Sequence, residues 1–116
     1  MRFRSFFEYI KEIFNVLRHI VTYKFLSEAQ GRTKNDNLKI AKALADDMAK
    51  SIPELLSFRC GVGSPDQKAD NYDIILICDL SDFDALAAYK QNPAHKAFGA
   101  HCHAVSSDRA AIDFEI

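Results

Sequence analysis

The chain has 116 residues, of which 48% are hydrophobic and 27% are charged, and these fractions are typical of one globular domain. Its 15 lysines and arginines and 16 aspartates and glutamates give a formal net charge of −1 with histidine neutral. A nucleic-acid partner would require a basic stripe, and a membrane span would require about 18 uncharged apolar residues. The sequence contains neither feature, so neither partner is expected.

Residues 1–16 are predicted to form an amphipathic helix that precedes the main domain. Apolar residues recur at helical spacing along it and just beyond it: Phe3, Phe6, Phe7, Ile10, Ile13, Phe14 and Leu17. Charged residues such as Glu8 and Lys11 interrupt the run, which argues against a signal peptide. The polar face mixes both signs of charge, so we expect this helix to pack on its own domain or on a second subunit rather than on a membrane.

The first strand and the first helix of the domain have clear apolar patterns. Residues 18–26 are rich in β-branched and aromatic side chains, which predicts a strand. One face of this strand carries His19, Val21, Tyr23 and Phe25. A polar loop is predicted over residues 27–37. The helix after it has an apolar face made of Leu38, Ala41, Leu44, Ala45, Met48 and Ile52, and Pro53 ends it.

Two further strands are predicted over residues 55–62 and 72–80, separated by a turn-rich segment. The centre of the second strand, Ile74 to Cys78, is apolar on both faces. A sheet with helices on one side only should alternate apolar and polar residues there. The second face of this strand therefore needs a cover, and another copy of the same sheet is the simplest one.

The rest of the sequence predicts two short helices and a last strand. Asp82 or Ser81 can cap the first of these helices, and Asn92 followed by Pro93 can cap the second. The final strand, over residues 109–116, alternates Ile112, Phe114 and Ile116 with acidic residues. The resulting β-α-β-β-α-β order predicts an α+β, ferredoxin-like domain over residues 17–116.

Four segments in the expected order resemble the stress-responsive A/B barrel (Dabb) family: "LRHIVTYKF", "IPELLSFRCGVG", "YKQNPAHKAF" and "AIDFEI". The resemblance implies a homodimeric α+β barrel in which the sheets of two ferredoxin-like subunits pack together. Members of the family usually begin just before the first of these segments, so residues 1–16 would be an extension. Many relatives have histidine where this chain has Asn92, which keeps the capping role but not the chemistry of that histidine.

One branch of the family comprises plant polyketide cyclases related to olivetolic acid cyclase, which need no cofactor. The resemblance to this branch assigns His95 as a catalytic base and Tyr89 as a hydrogen-bond donor to an enolate oxygen. It places His19, with Val21 and Tyr23 on the same strand face, along the ligand cavity. By the same alignment, Ala41, Ala45 and Ser106 replace bulky cavity residues, so a differently shaped cavity and another substrate are expected.

Each of these residues also has a purely structural interpretation. His95 could hold a loop by hydrogen bonding to the backbone, Tyr89 could pack in the core, and His19 could be a satisfied core histidine. His101 and His103 point about 200° apart on a helix and cannot chelate one ion together. We therefore expect no metal and no cofactor.

Three functions remain open at this point: small-molecule binding without catalysis, a cofactor-free enzyme for a carbonyl-rich or aromatic ligand, and a structural or interaction module. The widely spaced Cys60, Cys78 and Cys102 are expected to be reduced, which favours a cytoplasmic protein.

Overall fold

The computed structural model describes residues 5–6 and 15–116. The predicted helix over residues 1–16 falls almost entirely outside this part of the chain and remains a prediction. None of the helices in the described part combines the length and the apolar content that a membrane span requires.

A four-stranded antiparallel sheet with helices on one face forms the domain, as predicted. The elements in chain order are β1 (Leu17–Phe25), β2 (Glu28–Ala29), β3 (Arg32–Thr33), α1 (Lys34–Ser51), β4 (Ser57–Val62), β5 (Ile74–Leu80), α2 (Phe83–Gln91), α3 (Pro93–Val105) and β6 (Ser106–Glu115). The main sheet has the strand order β4-β5-β1-β6, so the first and third of its strands in sequence are central. This is the ferredoxin-like arrangement.

The segment between β1 and α1 is more ordered than the predicted loop. β2 and β3 form a short hairpin, and Gln30 and Gly31 take positive φ angles of 56° and 72° at its turn. Thr33 caps α1 by accepting a hydrogen bond from the backbone amide of Asp36. The helix therefore begins at Lys34, four residues before Leu38. The sequence did not reveal this start, because the first turn of the helix is polar and has no apolar periodicity.

The two predicted caps near the end of the domain are confirmed. The side chain of Asp82 accepts from the amide of Ala85 at the start of α2. Asn92 accepts from the amide of Ala94 at 2.9 Å, and Pro93 occupies the first position of α3. Since Asn92 is both the end of α2 and the start of α3, the two helices meet at a single extended residue.

The core lies between the helices and the face of the sheet on which His19 was predicted. The largest of its fully buried side chains are Tyr89, Phe98, Met48, Leu76, Leu80 and Val105. The opposite face, which we call the open face, has no helix over it in the described part of the chain. It presents Ile20, Thr22, Ile75, Ile77, Ala110, Ile112 and Phe114. Ile112 is 60% exposed and Phe114 is 40% exposed, so this face keeps apolar side chains in contact with solvent.

Candidate functional site

The structure brings three of the predicted site residues together. Tyr89 lies in the last turn of α2 and His95 in the first turn of α3, and the sharp junction at Asn92 brings their rings into contact. Their ring centres are 4.6 Å apart and the rings are inclined by 60°. The ring of His19 on β1 lies edge-on to Tyr89, with a centre-to-centre distance of 6.1 Å. We call His19, Tyr89 and His95 the histidine–tyrosine cluster.

A carboxylate that was not predicted completes one side of the cluster. The register of β1 and β6 places Asp113 directly opposite His19. The Nδ1 atom of His19 lies 2.5 Å from an oxygen of Asp113. A neutral imidazole that donates Nδ1–H to a carboxylate keeps Nε2 as an acceptor, so the pair fixes one tautomer. The acidic alternation of β6 was visible in the sequence, but the pairing depends on a register that the sequence does not show.

The hydroxyl of Tyr89 faces the core rather than the histidines. The thiol of Cys78 donates to it at 3.5 Å, and the hydroxyl lies 4.0 Å from the sulfur of Met48. Tyr89 is only 1% exposed, and this burial raises the pKa of its hydroxyl above the ordinary value. In this conformation Tyr89 offers the histidines its ring and not its hydrogen-bond donor.

His95 is half-buried and is held in its neutral form. Burial lowers the pKa of its imidazole below 6.5, against the raising effect of a hydrogen bond to the backbone of Lys90. The positive charges of Lys90 and Arg109 lower the pKa of His95 further. A neutral imidazole near pH 7 can accept a proton, so His95 has the protonation state of a general base.

Val21 and Tyr23 continue the buried face of β1 away from His19, as predicted. The ring of Tyr23 packs edge-on against Phe98 of α3 at 6.1 Å. On its other side the guanidinium carbon of Arg109 lies 6.0 Å from the centre of the Tyr23 ring. Burial raises the pKa of the Tyr23 hydroxyl, and hydrogen bonding to Arg109 offsets part of this effect. Arg109 was predicted only as part of a strand.

Ala41 and Ala45 are buried in α1, and both are 0% exposed. Met48, which follows Ala45 by about one helical turn, is the residue of α1 that reaches the Tyr89 hydroxyl. A cavity lined by the two alanines would therefore be internal to the core. Their role as cavity residues stays a prediction.

In the "HCH" segment, the first histidine connects α3 to α1. His101 donates from Nε2 to the backbone carbonyl of Asn37 at 2.9 Å and so ties α3 to α1. Cys102 is buried and His103 is exposed. Within residues 5–6 and 15–116, no group of three or more histidine, cysteine, aspartate or glutamate side chains is placed to hold a metal.

A separate groove lies at the other end of the sheet. It has a volume of about 610 Å³ and runs between the first turn of α1 and the loop that joins β4 to β5. Lys34, Leu38, Pro65, Gln67 and Asp73 are among its lining residues. No member of the histidine–tyrosine cluster lines it, so the groove is not the cavity that the resemblance implies.

An antiparallel sheet in the order β4-β5-β1-β6 with helices on one face defines a ferredoxin-like α+β protein. The histidine–tyrosine cluster lies between this sheet and its helices. The fold alone does not select among the families of this class. The chain belongs to the Stress responsive A/B Barrel Domain (Dabb) family, whose model matches residues 17–116. The family predicted from the four sequence segments is thereby confirmed.

Solved structures support the same fold. A dimeric ferredoxin-like protein of unknown function from Thermobifida fusca YX is 26% identical, with a TM-score of 0.74 over 88% of this chain and 92% of that one. A dimeric ferredoxin-like protein of unknown function from Jannaschia sp. CCS1 is 28% identical, with a TM-score of 0.66 over 87% and 99%. The hydroxynitrile lyase from Passiflora edulis is 14% identical, with a TM-score of 0.70 over 87% and 93%, a likeness of fold alone. None of the curated proteins compared with the chain matches it.

Proposed function

We propose that the chain is a homodimeric Dabb protein that binds a small aromatic or carbonyl-rich molecule at the histidine–tyrosine cluster. The observation that carries this proposal is the contact of half-buried His95 with the ring of Tyr89, 4.6 Å between centres. A half-buried titratable group with a shifted pKa, such as His95, is typical of functional sites. His95, the least buried member of the cluster, would hydrogen-bond to the ligand, with the rings of His19 and Tyr89 packed behind it.

A second candidate is cofactor-free acid–base catalysis at the same place. Two features favour it: burial lowers the pKa of His95, which favours its neutral form near pH 7, and the contact of Asp113 with Nδ1 of His19 leaves Nε2 as an acceptor. Either imidazole would take a proton from a carbon next to a carbonyl, leaving an enolate, and would return the proton to the product. Tyr89 could serve as the donor to the enolate oxygen only after its hydroxyl turns away from Cys78 and Met48.

We propose that a second copy of the chain covers the open face of the sheet. The exposed apolar side chains of that face, such as Ile112 and Phe114, support this arrangement. The Thermobifida fusca and Jannaschia proteins are described as dimeric, which supports it further. The interface would pack sheet against sheet and leave the histidine–tyrosine cluster on the outer, helix-bearing side.

We also propose that the protein is cytoplasmic and that residues 1–16 form a helical extension to the domain. Cys60, Cys78 and Cys102 are free. Burial raises the pKa of all three thiols, to about 11 for Cys78 and about 12 for Cys102, so they stay protonated and unreactive. Unreactive free thiols suit a reducing compartment. The extension is where a structural or interaction role would be sought if the cluster binds nothing.

The test is a titration of His95 by NMR with a panel of small aromatic and carbonyl compounds. If the ligand binds at the cluster, the ring signals of His95 and His19 should shift when it is added. The ring signals of exposed His103, which is on the same helix as His95, should not shift. Turnover of one of the carbonyl compounds that is lost in His95→Gln would favour the catalytic candidate. If the His95 signals ignore every ligand and its pKa is close to 6.5, His95 is a scaffold residue and the proposal is wrong.

A further inference from the structure

Arg109, on the same face of the sheet as the histidine–tyrosine cluster, is a guanidinium without a carboxylate partner among the described residues. In the described part of the chain no aspartate or glutamate lies within ion-pair distance of it. Arg18 is different, since both of its bonding nitrogens are held by Asp79 at 2.8 and 3.0 Å. Arg109 is exposed and faces the helix side of the sheet, because it pairs with Tyr23 in the β1–β6 register.

The same register lays out a strip between Arg109 and the cluster. Tyr23 pairs with Arg109, Val21 with Ala111 and His19 with Asp113, and all six residues point to the helix side. Four residues of strand separate the two ends by roughly 13 Å. Ala111 in the middle is small, apolar and exposed. On β1 the strip is buried, whereas on β6 it is exposed, with a cationic end at Arg109, apolar Ala111 in the middle and Asp113, the partner of the His19 imidazole, at the other end.

We propose that Arg109 binds the carboxylate of the ligand, so that the cluster takes a small organic acid with an aromatic or carbonyl-bearing body. This inference rests on the proposed function of the cluster. A guanidinium matches a carboxylate with two parallel hydrogen bonds, and the hydroxyl of Tyr23 next to it supplies a further donor. The body of the ligand would lie over exposed Ala111, on the edge strand β6, and its far end would reach towards half-buried His95.

The electrostatics of the strip agree with this assignment. The charge of Arg109 is one of the causes that lower the pKa of His95. A bound carboxylate would neutralise that charge, and the pKa of His95 would rise on binding. A neutral ligand of the same shape would leave this effect of Arg109 in place. The two kinds of ligand are thus distinguishable at His95 itself.

The experiment compares 3-phenylpropionate with its neutral amide, 3-phenylpropionamide, by NMR titration of the full chain. We expect the acid to bind at least about 10-fold more tightly than the amide, to raise the pKa of His95 and to move the ring signals of Tyr23. In Arg109→Gln the affinity for the acid should fall by about 10-fold or more, while that for the amide should be unchanged. Arg109→Lys should keep part of the affinity, because it retains the charge without the planar fork.

Lys39→Gln is the matched control, since it removes one exposed positive charge from α1, away from the strip. It should leave both affinities unchanged, and equal losses in Lys39→Gln and Arg109→Gln would overturn the proposal. If acid and amide bind equally and Arg109→Gln affects neither, the ligand class is wrong but the binding role of the cluster stands. If neither compound nor any of the panel moves His95, the proposed function fails and this inference fails with it.

Discussion

His19 on β1 and Asp113 on β6 are directly opposite each other in the sheet, and the buried imidazole bonds to the carboxylate through Nδ1. His19 is 3% exposed, whereas Asp113 lies on a strand whose residues are exposed. The pair therefore connects an exposed edge of the sheet to the buried centre of the candidate site. It also decides which nitrogen of His19 is available to a ligand.

Replacing Asp113 by asparagine should let His19 populate both neutral tautomers instead of one. We expect ¹⁵N chemical shifts to show mainly the Nδ1–H form in the wild type at high pH and a mixture in Asp113→Asn. The loss of a charged partner for a buried imidazole should cost about 1–3 kcal/mol of unfolding free energy. Glu115→Gln, two residues along on the same face of β6, is the control and should change neither quantity. An unchanged tautomer in Asp113→Asn would mean that the contact does not orient His19.

The lowered pKa of His95 makes stability depend on pH with a defined sign. Because the folded state binds this proton less well than the unfolded state, the stability that neutral His95 supports is fully present above pH 6.5. It is lost as the pH falls from about 6.5 toward the lower pKa of the folded state, and it changes no further below that. Urea unfolding from pH 8 to pH 5 should show this loss in the wild type and not in His95→Gln. If the unfolding free energies of wild type and His95→Gln change with pH in parallel, the pKa of His95 is not lowered in the folded state.

Tyr89→Phe should leave the fold nearly as stable as before. Among the residues that the structure describes, its hydroxyl has only two sulfur partners, so removing it should change the unfolding free energy by less than about 1.5 kcal/mol. Tyr89→Ala removes a fully buried ring and should cost about 3–5 kcal/mol. Chemical denaturation of both variants measures the difference. A large cost for Tyr89→Phe would show that the hydroxyl makes a stronger bond than these contacts.

Ala45→Leu tests whether the core against α1 is filled. Ala45 is 0% exposed, so three added carbons should overpack the core and cost about 1–3 kcal/mol. Ala49→Leu, at an exposed position of the same helix, should be nearly neutral. Thermal or urea unfolding of the pair gives the comparison. If Ala45→Leu is tolerated as well as Ala49→Leu, a void exists there and the predicted cavity role of Ala45 gains support.

Ile112→Lys tests the proposed dimer interface. Ile112 is 60% exposed in the single chain, so the substitution should not unfold the subunit. A buried lysine at a sheet-to-sheet contact would be unpaired, and sedimentation analysis should show the dimer shifting to monomer. Phe83→Lys is the matched control, since Phe83 is 59% exposed at the start of α2, away from the open face. Equal dimer fractions in both variants and the wild type would exclude this face as the interface.

Much of the fold was predictable because local sequence patterns determine it. The alternation of residues 18–26, the apolar face around Ala41 and Met48, and the caps Asp82 and Asn92 each specify one element by periodicity or hydrogen bonding. The hairpin at Gln30 and Gly31 was missed because strands of two residues have no measurable period. The early start of β6 at Ser106 was missed because its first residues are small and polar.

The site was predictable only in part. The resemblance supplied Tyr89, His95 and His19, and the structure brings their rings together. Asp113 and Arg109 were not identified, since their importance comes from which residue of β1 each one faces. A shift of one residue in the register would turn both side chains to the other face of the sheet. Sequence patterns predict which face of a strand is buried, but they do not give its partners.

The pairing of β1 with β6 joins His19 to a residue 94 positions later in the sequence. Closing so long a segment costs conformational entropy, and only the pairing of the two strands offsets this cost. Such long-range pairing slows folding. The carboxylate and the guanidinium of the candidate site both lie on β6, the last strand in the sequence. Binding competence should therefore appear in a single late step of refolding, after the helices have formed, and ligand response would report on the completion of the sheet.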